Sequence, residues 1–247
     1  MRLLFTQPRG STPTPGILLD RDGVINYQIP GGYVTDWARF RFVRGIKRVL
    51  AQLSRMGFPL IVVSNQAGVG KGLISSEALA EISRRFAESL GSSGARINAV
   101  YYCTHLQEKG CDCRKPKSGL LQQAARDWHL DLSRCVMIGD STGDIEAARR
   151  VNCRSILLTR SRGGVSAMVQ PGGSAIARTP AELPALVHSL IGMRQKRIQE
   201  TRSGGRSPAN CPERNEPARD SWDEIRRRPA GLCRRSAARR QPEHGIG

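Results

Sequence analysis

Five short apolar runs, at residues 16–20, 60–64, 99–103, 135–139 and 155–159, recur along the chain with amphipathic stretches between them. Each run is too short for a helix and does not alternate, which is how a strand buried on both faces reads. Between them, Ile46, Val49, Leu50 and Leu53 share one face at helical spacing. So do Leu79, Ile82, Phe86 and Leu90, with Ser75 as candidate N-cap and Glu77 in the first turn. Leu120, Leu121, Ala124, Ala125 and Trp128 make a third face, and Ile145, Ala148 and Val151 a short fourth. Strands alternating with helices predict βαβ units, hence an α/β domain built on a doubly wound parallel sheet. A strand at 175–178 and a helix at 181–191 close it. The expected organisation is a flexible N-terminus at 1–14, the domain at 15–192 and a tail at 193–247.

The charge is uneven. Of the net +18, +7 lies in residues 194–247, which carry 14 basic and 7 acidic residues, few apolar ones and no period. Such a segment is expected to be a disordered basic tail. It does not interleave aromatics with arginine as single-strand binders do, so a nucleic-acid partner rests on the tail alone and is disfavoured. No apolar run is long enough to span a bilayer, and residues 1–8 lack the apolar core of a signal peptide. The expectation is therefore a cytoplasmic protein without a membrane partner, a monomer by default, whose seven cysteines are thiols or metal ligands.

The first apolar run, Gly16-Ile17-Leu18-Leu19, ends in two carboxylates, Asp20 and Asp22, followed by Gly23. Open α/β sheets place their sites at the carboxyl ends of strands. There the first acid can attack or hold a metal, and the second can handle a proton. Asp-x-Asp-Gly alone also suits a calcium loop or a plain solvated turn. Three further segments supply what a phosphoryl group needs. Ser64, Asn65 and Gln66 end the second run with a hydroxyl and amides; Arg114 and Lys115 bring two cations; Asp140 ends the fourth run, with Asp144 one helical turn on. A phosphate site requires a metal, a cationic clamp and an in-line nucleophile, and these are its parts.

A separate cluster reads as a metal loop. Cys103-Thr-His105 and Cys111-Asp-Cys113 place four soft ligands within eleven positions, enough to close a tetrahedral structural zinc site and pin the Arg114-Lys115 segment. The alternative is four unligated side chains in a surface loop.

Taken together, Asp20-x-Asp22-Gly-Val, Ser64-Asn65-Gln66, Arg114-Lys115-Pro and Gly-Asp140-x-x-x-Asp144 resemble the four motifs of haloacid dehalogenase-like phosphatases. Gly32-Tyr33-Val34, Asn65-Gln66-Ala-Gly68-Val-Gly70-Lys71-Gly72 and Cys111-Asp-Cys113-Arg-Lys-Pro narrow the resemblance to the D-glycero-D-manno-heptose 1,7-bisphosphate phosphatases, over roughly residues 16–190. The resemblance implies a capless domain with a zinc loop that removes the C7 phosphate of a small sugar bisphosphate. It makes Asp20 the nucleophile and Asp22 the general acid and base. Mg2+ would sit between the Asp20 side chain, the Asp22 carbonyl and the Asp140 side chain, an all-oxygen set. Ser64 and Lys115 would hold the transferring phosphate and Arg114 the other one. Asn65, Gln66, Tyr33 and Lys71 would contact substrate or shape its loop, and Asp144 would orient neighbours or cap a helix. Ser141 stands where those phosphatases carry a lysine, which leaves the exact sugar and its anomer open. The short spacer between His105 and Cys111 is similar to the histidinol-phosphate phosphatases, a rival reading; a polynucleotide 3′-phosphatase anchored by the tail is another. Cys135, Cys153, Trp128 and Phe86 are expected in the core, and His129 and His188 as structural or surface residues.

Overall fold

The computed structural model describes residues 1–8, 10, 12–159 and 174–200, with side chains to residue 192. The expected basic tail beyond residue 200 lies outside the described residues.

A single sheet carries the fold: β1 (Arg2–Leu4), β2 (Ile17–Leu19), β3 (Leu60–Asn65), β4 (Ala99–Cys103), β5 (Val136–Gly139), β6 (Arg154–Leu158) and β7 (Ser174–Ala177), in the spatial order β1-β4-β3-β2-β5-β6-β7. Every pairing from β4 across to β7 is parallel. The chain lays β3 and β4 outward on one side of β2, then resumes on the other side with β5. This reversal opens a crevice at the carboxyl ends of β2 and β5, where doubly wound sheets bind ligands.

Burial explains why the strands read as unbroken apolar runs. Ile17, Leu18 and Leu19 are all fully buried; Ile17 and Leu19 face one apolar layer and Leu18 the other. The first layer packs α1 (Ile46–Ser54), α3 (Ser76–Gly91) and α6 (Leu183–Glu200); the second packs α4 (Gly119–Trp128) and α5 (Thr142–Arg149), and the one-turn α2 (Ala67–Gly70) follows β3. Each fully buried leucine or isoleucine contributes about 1.5–3 kcal/mol. The Ser75 hydroxyl accepts from the Ala78 N–H at 3.1 Å, the cap expected for α3.

Three expectations need correction. Residues 2–4 are not a flexible arm: β1 pairs antiparallel with β4, so the sheet has one antiparallel edge. The last helix does not end near residue 191; a Thr179/Glu182 capping box starts the turn before it, and α6 continues to Glu200. In α5, Asp144, Ala147 and Ala148 are the buried residues, while Ile145 is half-buried.

Candidate active site

Asp20 directly follows β2, and its backbone N–H donates to Ile138 O of β5 at 2.8 Å. Its carboxylate accepts from the Arg21 N–H at 2.7 Å and faces the Lys115 ammonium at 3.0 Å. Lys115 also lies 2.5 Å from Asp144 Oδ1 and donates to Val63 O at 2.8 Å, so one buried cation ties the ends of β2, β3 and α5 together. Asp140, after β5, completes a group in which oxygens of Asp20, Asp140 and Asp144 lie within 4.8 Å of one another. Gly23 makes room for it: its φ is +86°, and a Cβ there would sit 1.7 Å from Asp140 Oδ2.

Three carboxylates thus share one ammonium. Burial, reinforced by Asp144 and Asp22, pushes Asp20 up to about 6 against the pull of Lys115. Burial with the charges of Asp20 and Asp144 pushes Asp140 up to about 7. The excess negative charge and the all-oxygen donor set fit a hard divalent cation such as Mg2+. A pH dependence follows. Both native values lie above the unfolded carboxylate range of about 4, so the native state holds more protons between about pH 4 and 7, and cation-free stability falls as pH rises through that window. Mg2+ competes for the ionised forms. Its addition should raise the melting temperature by several degrees at about pH 8 and scarcely at about pH 5. Equal shifts at both pH values in a thermal melt would remove the carboxylate cluster from metal binding.

Asp22 faces the other way. Its Oδ1 accepts from Asn26 Nδ2 at 2.8 Å and from Arg21 Nη2 at 3.0 Å; its Oδ2 accepts from Gln66 Nε2 at 2.7 Å and from Arg21 Nη2 at 3.0 Å. Burial alone would raise this carboxyl, but Arg21 and the amide donors outweigh it and hold it below the usual range. Its side chain is still 24% exposed.

A cavity of about 360 Å³ opens above these groups, lined by Asp20, Asp22, Ser64, Asn65, Arg114, Lys115, Asp140 and Asp144 from the expected set. Among the described residues no second domain stands over it. Tyr33 and Val34 join the lining from the 28–34 segment, with Gln28 and Ile29, which sequence reasoning did not single out. Arg114 keeps a buried Nη1 without a partner at this wall. Two expected substrate contacts are not brought to the cavity. Gln66 is 3% exposed and spends its amide on Asp22 and, at 3.2 Å, on Ser64 Oγ. Lys71 is exposed and does not line the cavity; its ammonium stands 5.7 Å from the Tyr33 ring centre. Asn65 lines the cavity but also clamps Lys115, accepting its N–H at 3.1 Å and donating to its carbonyl at 2.9 Å. Asp144 caps α5 through Ser141, as expected of it. Arg21 and Asn26 were missed, although Arg21 is the one unassigned side chain inside the Asp-Arg-Asp motif.

The cysteine cluster forms where β4 ends. Cys103 Sγ lies 3.6 Å from Cys111 Sγ and 3.8 Å from His105 Nδ1; Cys113 Sγ lies 3.4 Å from Cys111 Sγ and 3.2 Å from His105 Nδ1. A tetrahedron with metal–sulfur bonds of about 2.3 Å has edges of about 3.8 Å, so the four atoms gather at near-ligand spacing. No pair is a disulfide. The cluster is a possible metal site, and Cys113 stands two residues before Lys115.

Comparison with known proteins places these features in context. A family model described as HAD-hydrolase-like matches residues 112–181. The chain is 32% identical over 183 residues to the D-glycero-beta-D-manno-heptose-1,7-bisphosphate 7-phosphatase of Photorhabdus laumondii, covering 71% of this chain and 96% of that protein. It is 33% identical over 180 residues to the enzyme of the same name from Pasteurella multocida, covering 70% and 97%. The crystal structure of D,D-heptose 1,7-bisphosphate phosphatase from B. bronchiseptica, complexed with magnesium and phosphate, superposes with a TM-score of 0.61 at 26% identity, over 76% of this chain and 99% of that one.

Proposed function

Because the chain belongs to the D-glycero-β-D-manno-heptose 1,7-bisphosphate 7-phosphatase family, phosphoric monoester hydrolases of the haloacid dehalogenase-like fold, we propose that it removes the C7 phosphate of a heptose 1,7-bisphosphate through an aspartyl-phosphate. The observation that carries this reading is the Asp20 carboxylate at the floor of the cavity, beside the Lys115 ammonium and the Asp140 carboxylate.

In the first step Asp20 attacks phosphorus, the bond from phosphorus to the sugar oxygen breaks, and the departing oxygen takes a proton from Asp22, which the negative charge of the bound phosphate has first brought to its protonated form against the pull of Arg21. In the second, Asp22 takes a proton from water, whose oxygen attacks phosphorus; the bond to Asp20 breaks and inorganic phosphate leaves. Ser64 and Lys115 hold the transferring phosphate, and Arg114 meets the second one from the cavity wall. Asp20, the Asp22 carbonyl and Asp140 would hold Mg2+, which when bound offsets the charge gathered on the phosphate. Asp144, already engaged by Lys115 and Ser141, keeps the lysine in place. Cys103, His105, Cys111 and Cys113 would hold a structural zinc ion.

This reading carries with it a cytoplasmic setting and a basic segment dispensable for the chemistry. Among the described residues no helix is long and apolar enough to cross a membrane. The test is phosphate release with Mg2+ from both heptose 1,7-bisphosphate anomers, histidinol phosphate, fructose 1,6-bisphosphate and a 3′-phosphorylated oligonucleotide. Selective turnover of a heptose bisphosphate is expected. Preference for histidinol phosphate or the oligonucleotide would overturn the substrate and keep the chemistry.

A further inference from the structure

We propose that Arg21, together with Gln66, is a positioning residue that fixes the Asp22 carboxylate at the cavity wall for its proton transfers, an inference that rests on the phosphatase reading above. Arg21 is fully buried, does not line the cavity, and so acts on substrate only through what it holds. What it holds is Asp22: Nε lies 3.3 Å from Oδ1, and Nη2 lies 3.0 Å from each carboxylate oxygen. Interring a guanidinium is costly unless it is paired and its geometry is fixed. Here the core fixes it. The guanidinium carbon stands 5.7 Å from the centre of the Tyr102 ring, and the Tyr102 hydroxyl bonds the Ser83 hydroxyl at 2.9 Å, which in turn donates to Leu79 O within α3. The Arg21 carbonyl accepts from the Ile25 and Asn26 N–H groups at 2.8 and 3.1 Å, locking the turn that follows Asp22.

Gln66 supplies the second hold from a different strand end. One amide nitrogen reaches both Asp22 Oδ2, at 2.7 Å, and Ser64 Oγ, at 3.2 Å, so the proton-transferring carboxylate and the hydroxyl facing the phosphate are referenced to one side chain. An aspartate free to turn about its side-chain bonds would spend much of its time aimed away from the leaving oxygen. Donors on two sides, arriving from the β2 turn and from the end of β3, remove that freedom before substrate arrives.

The discriminating property is the leaving group. A sugar oxygen departs with a proton, whereas the nitrophenolate of p-nitrophenyl phosphate departs without one. The parameter kcat/KM reports only steps up to that departure. Arg21→Lys keeps the charge and loses the fork; Gln66→Met keeps the length and loses the N–H donors. Each variant is expected to lower kcat/KM on heptose bisphosphate by roughly 10- to 100-fold, within the range that general acid catalysis supplies, through kcat and with KM nearly constant. The loss on p-nitrophenyl phosphate should be at least about tenfold smaller. Asp22→Asn should show the same split, more widely. Equal losses on both substrates, or no loss on either, would overturn the positioning role. If Arg21→Lys does not fold, as judged by its melt, Gln66→Met decides alone. A parent enzyme that hydrolyses neither substrate would defeat the phosphatase reading and this inference with it; a parent active on both whose variants fail equally defeats only the inference.

Discussion

Asp20→Asn is expected to abolish phosphate release, by a factor on the order of 10⁴ or more, because an amide cannot take the phosphoryl group. The protein should not weaken in consequence. In the absence of metal, Asp20 and Asp144 pair with the single ammonium of Lys115 and Asp140 stands beside them, and burial, with the mutual repulsion of these carboxylates, pushes Asp20 up to about 6 and Asp140 up to about 7. An asparagine removes one of the repelling charges, and its carbonyl still accepts from Lys115 and from the Arg21 N–H. The variant should therefore melt at or above the parent temperature in a chelating buffer, the usual trade between stability and a charged site. Residual turnover above about one per cent in a phosphate-release assay would show that another group attacks.

Stripping the metal from the Cys103, His105, Cys111 and Cys113 cluster is the second large effect. A closed structural zinc site contributes to folding outright, and a zinc ion held by these four side chains would anchor the segment that leads into Lys115. Loss of a few kcal/mol from a domain of this size corresponds to a fall of roughly 10 °C in Tm. Cys113→Ser should produce such a fall and a lower kcat, since Lys115 is released two residues away and its hold on Asp20 and Asp144 loosens with it. Metal analysis of the purified parent should find one zinc per chain. A metal-free parent that melts where the Cys113→Ser variant does would leave the four side chains as plain thiols and an imidazole.

Much of this is legible in the sequence itself, for a physical reason. Parallel strands buried on both faces must be short and wholly apolar, so the sequence marks where they end, and the chemistry sits at those ends. Asp20, Ser64 and Asp140 follow from that alone. The residues that escaped are those whose role depends on contacts between distant segments. Gln66 looked like a substrate contact because it follows Ser64, but the fold turns it inward onto Asp22. Lys71 sits in a glycine-rich stretch suggestive of phosphate, yet it lies against Tyr33, outside the cavity lining. Arg21 gave no period or spacing to read, since a guanidinium between two acids looks like a solvated charge until the core closes around it. The strand β1 was invisible for a similar reason: three residues carry no pattern, and its partner lies about a hundred positions away.

That small strand has a bearing on how the protein stays dispersed. All five residues of β4, Ala-Val-Tyr-Tyr-Cys, are buried. Without β1 this β-prone, aromatic segment would form the outer margin of the sheet, with open N–H and C=O groups inviting a strand from another molecule. Residues 2–4 occupy that margin, fastened by the Met1 amino group on Tyr102 O at 2.9 Å and by Arg2 on Asp127 at 2.6 Å. They replace it with a margin only three residues long that bears a charge, a poor template for further pairing. The first few residues thus act as a guard against aggregation, shielding the strand from which the cysteine-rich loop departs.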